Sequence, residues 1–210
     1  QEKLGLASPL LKRVATVTEQ VQRLERITDR YLDLSSMNAP NSRQSALNVT
    51  RAIKQNEAVD LHRLIESALE FLSTEIQAKG VGVQLKLDAG NSTIHGDRDG
   101  LSQVLFNLLR NALDALAAGN QALADSKWIR ISTYNQGPNV FVRVEDNGPG
   151  VTKELRQQIF EPFVTTKPQG HGLGLSISRQ ICLDHGGELE LVVARPSEGA
   201  VFDMRIPCVS

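Results

Sequence analysis

The stretch Asp146-Asn147-Gly148-Pro149-Gly150 constrains the fold of this chain more than any other. It follows residues 140–145, in which apolar and polar residues alternate as on a half-buried strand. A carboxylate at a strand end can accept a hydrogen bond from the amino group of a base. The glycines allow positive φ and a close approach of the backbone to a ligand. Because the same residues also suit an ordinary turn, this stretch alone leaves a nucleotide pocket and a plain turn open.

The size, charge and cysteine content exclude several classes of protein. The 210 residues, 40% of them hydrophobic, suffice for one full core and an additional segment. A formal net charge of −1 gives no electrostatic reason to expect a nucleic-acid or membrane-surface partner. There is no apolar run of about 18 residues and no signal peptide. Cys182 and Cys208 lie in apolar surroundings, so we expect buried thiols in a reducing cytosol.

Residues 10–34 predict one long helix without Gly or Pro. Its apolar residues recur at steps of three and four, a heptad pattern with one polar interruption at Thr28. Such a stripe needs a partner helix, a second chain or the protein's own domain to cover it. The Ser-, Asn- and Gln-rich residues 35–56, which include Pro40, then predict a linker.

The remainder of the chain predicts helices and strands in alternation. Asp60 is a candidate N-cap for a helix that ends at Gly80, and Asp97 begins a second helix with an acidic first turn. Apolar residues of both helices follow the i, i+3, i+4, i+7 pattern. The other predicted elements are strands at 81–87, 92–95, 128–134, 140–145, 188–193 and 201–206 and helices at 153–159 and 175–185.

The second of these helices carries a polar stripe beside its apolar face. Asn107, Asn111 and Asp114 are spaced by four and three residues and therefore share one side of the helix. Asparagine is a poor residue for a helix interior, so two of them one turn apart favour a ligand. A polar edge that faces water is the alternative.

A glycine run precedes the last predicted helix. Gly170, Gly172 and Gly174 lead into its N-terminus, where unpaired N–H groups and the positive end of the helix dipole favour an anion. The spacing matches neither GxxxxGK[ST] nor GxGxxG, and no Cys/His metal spacing occurs. His62 and His185 are isolated, and we predict structural or surface roles for them.

Four segments, in this order, resemble the N, G1, F and G2 boxes of sensor histidine kinases. They are residues 103–112, residues 146–150, Phe160-Glu161-Pro162-Phe163 and Gly172-Leu173-Gly174-Leu175. The resemblance covers about residues 57–207, and the four motifs in order are specific together. Residues 163–167 are also similar to kinases of the nitrogen-regulation and C4-dicarboxylate type.

The resemblance implies an α+β fold, a two-layer α/β sandwich of the Bergerat kind in which helices cover one face of a mixed sheet. A long coiled-coil-like helix would precede it, and ATP would lie in the sandwich. Asp146 would accept the adenine amino group, and Lys167 would contact phosphate. Phe160 and Phe163 would anchor a lid, although two Phe beside a Pro are also good core residues. The implied nucleotide-binding residues are Asn107, Asn111, Asp114, Asp146, Gly148, Gly150, Phe160, Phe163, Thr166, Lys167, Gly170, His171, Gly172, Leu173, Gly174 and Leu175.

The same resemblance implies phosphoryl transfer that depends on Asn107, Asn111 and Lys167. Asn111 would be the Mg²⁺ ligand, since one amide oxygen plus phosphate oxygens suffices for an ion that keeps several waters. Related ATPases (gyrase, MutL and Hsp90) place a glutamate at the position of Asn107 as base for water, and an amide cannot take a proton. We therefore expect a protein-histidine kinase that hydrolyses ATP poorly and hands the phosphate to another nucleophile.

The sequence departs from the family in one respect, because the phosphoacceptor motif, His-Glu followed by Pro, does not occur in it. The helix at 10–34 resembles the second helix of the dimerising hairpin. We therefore expect the histidine helix upstream of Gln1, with truncation favoured over divergence of the hairpin. The predicted domains are part of the hairpin at 1–40, a linker at 41–56 and the ATP-binding domain at 57–210.

The implied partners are a response-regulator receiver domain and a histidine-phosphotransfer hairpin of the same or a sister chain. The intact protein would form a homodimer through residues 10–34. It would lie in the bacterial cytoplasm, attached to the inner membrane only through upstream segments. Two other functions stay open, namely a non-catalytic binding module of this fold and a serine kinase of the anti-sigma-factor type.

Overall fold

The computed structural model describes residues 57–118, 126–167, 171–192 and 199–209. The chain divides into two compact units, Gln1–Val49 and Thr50–Ser210, and every described residue belongs to the second. The predicted helix at 10–34, the predicted linker at 35–56 and Gly170 lie outside the described residues.

The second unit alternates strands and helices as predicted. Asp60 caps the first helix by accepting a hydrogen bond from a backbone N–H at 2.9 Å, and Gly80, with φ +62°, follows its end. The described elements are β1 (Glu57–Asp60), α1 (Leu61–Ala78), β2 (Val81–Leu87), β3 (Thr93–Gly96), α2 (Arg98–Ala118), β4 (Lys127–Gln136), β5 (Asn139–Asp146), α3 (Lys153–Arg156), α4 (Gly174–Asp184), β6 (Glu188–Val192) and β7 (Val201–Pro207).

Five strands form one mixed sheet in the order β2-β4-β5-β7-β6. β2 and β4 are parallel because α2 lies between them in the chain as a crossover, and the other pairs are antiparallel. Gly137 and Pro138 form the turn between β4 and β5. β1 and β3 pair separately as a two-stranded antiparallel sheet.

The core lies between this sheet and the helices. α2 contacts α1, α4 and the sheet, and its apolar face is buried, as its periodicity predicts. Alternate residues of β4, β5 and β7 are buried against the helices. The structure thus confirms the predicted two-layer α+β fold. The buried residues of α2 are Leu101, Val104, Leu105, Leu108, Leu109, Ala112, Leu113 and Leu116.

Three details differ from the sequence-based expectation. β1 was not predicted, because only Val59 of its four residues is buried and it adjoins the predicted linker. α3 ends at Arg156 instead of Ile159, and single turns continue the chain from there. α4 begins one residue earlier than predicted, at Gly174. In the described ranges, no helix has both the length and the apolar character that a bilayer span requires.

Candidate functional site

Asp146 lies at the C-terminal end of β5, the central strand of the sheet, and only 4% of it is exposed. Its Oδ1 accepts hydrogen bonds from the N–H of Gly148 at 2.9 Å and of Ala200 at 3.4 Å. Burial raises the pKa of this carboxyl, and the two hydrogen bonds oppose the increase. Within the described ranges Oδ2 accepts no hydrogen bond. A buried oxygen without a partner is the kind of group that a ligand donor satisfies.

Three glycines let the backbone close around this carboxylate. A Cβ on Gly148 would lie 2.8 Å from Asp146 Oδ1, and one on Gly150, at φ +73°, would lie 2.8 Å from the carbonyl oxygen of Gly199. Gly199 has φ +88°, and its Cβ would overlap the carbonyl oxygen of Asp146. Here we call Asp146, Gly148, Gly150, Gly199 and Ala200 the acidic wall.

Gly199 and Ala200 contact Asp146 in the candidate site, and the sequence did not reveal them. They precede β7, in a segment that reads as an ordinary turn. Their contribution is a backbone N–H and the absence of a side chain, and they lie more than fifty residues from Asp146 in the chain. A lone Gly before a predicted strand was the only signal available.

Asn107 ties α2 to the start of α4. Its Nδ2 donates to the carbonyl oxygen of Gly174 and to Ser178 Oγ, both at 3.1 Å, and only 8% of Asn107 is exposed. Ser178, fully buried, donates in turn to the Gly174 carbonyl at 2.8 Å. Ser178 was also not predicted, since a serine on a helix carries no distinctive pattern. The stripe on α2 therefore begins with an amide that is buried and partnered, which argues against a water-facing edge.

One turn further along α2, two oxygen atoms converge on a lysine. Lys167 Nζ lies 2.8 Å from Asn111 Oδ1 and 2.7 Å from Asp114 Oδ2. Lys79 Nζ, itself 2.8 Å from Glu75 Oε1, lies 3.4 Å from the other oxygen of Asp114. We call Asn111, Asp114 and Lys167 the lysine wall.

Charges in and beside the lysine wall shift the pKa values of Asp114 and Lys79. Burial raises the pKa of Asp114, but the hydrogen bonds and charges of Lys167 and Lys79 outweigh burial and leave it below its usual value. Partial burial lowers the pKa of Lys79, and its contacts with Glu75 and Asp114 more than offset that effect. These interactions therefore favour the charged forms of Asp114 and Lys79.

The two walls adjoin at the base of the site. A Cβ on Gly148 would lie 3.2 Å from the Cβ of Ala115, which follows Asp114 on α2. Glycine at position 148 thus lets the turn after β5 approach the helix. Among the described residues, no three His, Cys, Asp or Glu side chains are grouped so that they could hold a metal by themselves.

The two phenylalanines of the predicted F box differ in their surroundings. Phe160 packs edge-on against Phe202, with ring centroids 6.4 Å apart, and the Arg179 guanidinium lies 5.3 Å from its ring centre. Phe163 is 62% exposed and has φ +68°. The expectation of a good core residue therefore holds for Phe160 and not for Phe163.

Gly172 lies directly against this exposed residue. Its carbonyl accepts the N–H of Phe163 at 3.0 Å. At φ +68°, a Cβ on Gly172 would run into the backbone of Phe163 and lie 2.7 Å from the N of Val164. Only glycine therefore allows the segments on the two sides of residues 168–170 to touch.

The start of α4 is the helix N-terminus for which the sequence predicts an anion site. Leu173 occupies the N-cap position and makes no side-chain cap, so the first turn keeps backbone donors available. Leu173, Gly174 and Leu175 are half-buried, whereas Thr166 and His171 are exposed. Of the predicted residues, the structure places Asp146, Gly148 and Gly150 in the acidic wall and Asn111, Asp114 and Lys167 in the lysine wall. Thr166 and His171 belong to neither wall, and Gly170 lies outside the described ranges.

A buried acid at the end of a central strand, a glycine-lined turn and a polar helix stripe define a nucleotide-binding domain. The sequence model of one family, described as "Histidine kinase-, DNA gyrase B-, and HSP90-like ATPase", matches residues 96–210. The chain belongs to this family. Within it, the described unit is an ATP-binding catalytic domain of the histidine kinase type.

Similar proteins include two named bacterial sensors. The signal transduction histidine-protein kinase AtoS of Escherichia coli is 37% identical over 155 residues, which are 73% of this chain and 24% of AtoS. The C4-dicarboxylate transport sensor protein DctB of Rhizobium meliloti is 34% identical over 70% of this chain and 22% of DctB. The chain thus spans about a quarter of the length of these relatives. The two names favour the kinase expectation over the binding module and the serine kinase.

Solved structures of histidine kinases are also similar to this chain. The nucleotide-free catalytic domain of histidine kinase ThkA has a TM-score of 0.62 and 32% identity, covering 72% of this chain and 95% of that domain. Full-length ShkA in complex with AMPPNP has a TM-score of 0.62 and 26% identity over 73% of this chain and 31% of ShkA. ThkA in complex with the response regulator protein TrrA has a TM-score of 0.60 and 25% identity over 100% of this chain and 53% of ThkA.

Proposed function

We propose that residues 57–210 bind Mg-ATP and transfer its γ-phosphate to a histidine of a phosphotransfer hairpin, in the same or a sister chain. A response-regulator receiver domain then takes the phosphate from that histidine. The observation that carries this proposal is the buried Asp146, whose Oδ2 has no donor among the described residues. The 6-amino group of adenine is a donor of the right kind for this oxygen. The AMPPNP bound in the similar kinase ShkA supports ATP as the ligand.

Magnesium fits the lysine wall. Asn111 Oδ1 and Asp114 Oδ2 both lie within 2.8 Å of the Lys167 ammonium, so these two oxygens already face a single cation. Amide and carboxylate oxygens are ligands that Mg²⁺ accepts. Asn111 would hold the ion, which supplies neutralisation of phosphate charge when bound. Lys167 would then contact a phosphate oxygen, and the uncapped start of α4 would donate to the phosphates.

Asn107 favours transfer over hydrolysis. Its amide nitrogen donates to the Gly174 carbonyl and to Ser178, and an amide cannot remove a proton from water. The site therefore positions and neutralises the triphosphate without activating water. The phosphate passes instead to a nucleophile that another segment presents, and a histidine imidazole serves this purpose.

The proposed partners and location rest on the relatives. ThkA has been solved with the response regulator TrrA, which supports a receiver domain as the partner of this chain too. We place the domain in the bacterial cytoplasm, with dimerisation through residues 10–34. Any attachment to the inner membrane would come from segments other than the described ones.

Two measurements test the proposal. Calorimetric titration with AMPPNP and Mg²⁺ should give a defined binding isotherm for the parent chain and at least about a hundredfold weaker binding for Asp146→Asn, because the buried oxygen loses its acceptor role. Asp88→Asn is the matched control, since Asp88 is exposed and, among the described residues, its carboxylate forms an ion pair only with Lys86, at 3.4 Å. Absence of binding by the parent chain would refute ATP as the ligand.

The transfer step needs a separate assay. Incubation with ATP, Mg²⁺ and an added histidine hairpin from a related kinase should label that hairpin with acid-labile phosphate. Asn111→Ala should abolish the labelling, because it removes a proposed metal ligand. Acid-stable phosphate on serine would instead point to the serine kinase.

A further inference from the structure

Asn147 extends the β4–β5 strand pair one residue beyond its last regular pair, through its side chain as well as its backbone N–H. The regular pairing ends where Ile129 of β4 lies opposite Asp146 of β5. The next residue, Asn147, continues it with its side chain. Its Oδ1 accepts the N–H of Trp128 at 2.7 Å, and its Nδ2 donates to the carbonyl of Ser126 at 2.8 Å. Its own N–H donates to the Trp128 carbonyl at 3.3 Å.

These contacts fix the residue on which the Asp146 carboxylate depends. Asp146 Oδ1 accepts the N–H of Gly148, so the orientation of the carboxylate is set by a two-residue turn with Asn147 at its centre. On one side, the backbone of Gly199 lies close against this turn, since even an added Cβ on Gly199 would lie only 3.0 Å from the Cα of Asn147. The hydrogen bonds to residues 126–128 hold the other side. Residue 147 is therefore clamped from both directions.

We infer that Asn147 is a positioning residue for base recognition, acting through the turn that aims the Asp146 carboxylate. Asn147 itself need not touch the base. Its amide supplies an acceptor for the N–H of Trp128, in β4, and a donor for the carbonyl of Ser126, just before β4. This role rests on the proposed binding of an adenine nucleotide.

The test compares two nucleotides that differ at the group that Asp146 would read. ADP carries a 6-amino donor, whereas IDP has a carbonyl oxygen there, which a carboxylate repels. With Mg²⁺ present, we expect the parent chain to bind ADP on the order of a hundredfold more tightly than IDP. Asn147→Ala should reduce this ratio roughly tenfold, mainly through weaker ADP binding. Asn147→Asp keeps the acceptor for Trp128 and should recover part of the ratio.

A matched control separates positioning from general stability. Asn135, in β4, exchanges two hydrogen bonds with the backbone of Asn91, at 2.8 and 3.1 Å. Asn135→Ala thus removes a similar pair of hydrogen bonds away from Asp146. It should lower the melting temperature about as much as Asn147→Ala and leave the ADP/IDP ratio within about twofold of the parent value.

The outcomes distinguish this inference from the function on which it rests. A parent chain that binds both nucleotides equally, or neither, would contradict the proposed reading of adenine by Asp146. A parent chain that discriminates, together with an Asn147→Ala variant that keeps the full ratio, would overturn the role of Asn147 alone. Equal loss of the ratio in Asn135→Ala would show a non-specific effect of stability and would also overturn it.

Discussion

The acidic wall and the lysine wall are built from different kinds of structure. The acidic wall is made by backbone, since Asp146 is 4% exposed and glycines bring two chain segments against it. The lysine wall is made by long side chains, and the side chains of Lys167 and Asp114 are 43% and 38% exposed. Ion pairs at such exposure contribute little to stability and exchange partners readily. The rigid acidic wall therefore suits the recognition of one fixed hydrogen-bond donor. The exposed lysine wall suits charged groups that bind and dissociate.

The largest expected effect tests whether the backbone truly builds the acidic wall. Gly199→Ala forces a Cβ into the carbonyl oxygen of Asp146 at φ +88°, so we expect ADP binding to weaken more than about a hundredfold. The free energy of unfolding should fall by about 2 to 4 kcal/mol. Calorimetry and urea unfolding measure the two effects.

Gly90→Ala is the control for that substitution, because nothing lies within 4 Å of the added Cβ and φ is not positive. It should leave both quantities unchanged within about 0.5 kcal/mol. Near-parental ADP affinity in Gly199→Ala would show that the close backbone approach is not needed for the site.

A smaller effect should arise at the lysine wall. Lys167→Met removes a proposed phosphate contact, so Mg-AMPPNP affinity should fall about tenfold while the ADP/IDP ratio stays unchanged. Because the ion pair is exposed, stability should change by less than about 0.5 kcal/mol. Lys153→Met, an exposed lysine on α3, is the control. A changed base preference in Lys167→Met would mean that the walls are not independent.

The smallest effects concern pH, and they should have opposite signs in the two walls. Burial raises the pKa of Asp146 above its ordinary value of 3.8, so the folded protein binds this proton more tightly than the unfolded chain does. The free energy of unfolding therefore falls as pH rises from 3.8 through the pKa of Asp146 in the folded protein. Asp146→Asn should accordingly be more stable than the parent near neutral pH, and this difference in the free energy of unfolding should vanish below pH 3.8. Urea unfolding across pH measures it.

Asp114→Asn should show the reverse behaviour. Lys167 and Lys79 outweigh the effect of burial and hold the pKa of Asp114 below 3.8, so its contribution is present above that value and disappears as pH falls through the folded pKa. The variant should be slightly less stable than the parent at neutral pH, with no difference in acid. The effect is small because the carboxylate is partly exposed. If the pH dependence of stability changed in the same direction in Asp146→Asn and Asp114→Asn, the division of the site into two walls would be contradicted.

The sequence predicted those parts of the fold whose signal is local and repeated. α1 and α2 followed from apolar periodicity, and the β4–β5 hairpin followed from alternation around Gly137 and Pro138. β1 was missed, because four residues with a single buried one, Val59, show no pattern. A strand of that kind forms only when β3 comes to pair with it.

The site was predicted unevenly for a similar reason. Asp146 and Asn111 lie in motifs with a characteristic spacing, and the structure places both in the site. Gly199 and Ala200 contact Asp146 through backbone atoms, and Ser178 bonds Asn107 and the Gly174 carbonyl through a single buried hydroxyl, so none of them carries a pattern. The contact of Lys167 with α2 is long-range and depends on the course of the intervening chain.

The convergence of two amide protons on one carboxylate oxygen has a practical consequence. The N–H groups of Gly148 and Ala200 both point at Asp146 Oδ1, one from the turn after β5 and one from the residue before β7, the neighbouring strand. Any donor that reaches this carboxylate withdraws electron density from both bonds at once. In an ¹⁵N-labelled sample, the two resonances should therefore move together during a titration, which provides an internal gauge of site occupancy without a dye or a radioactive label.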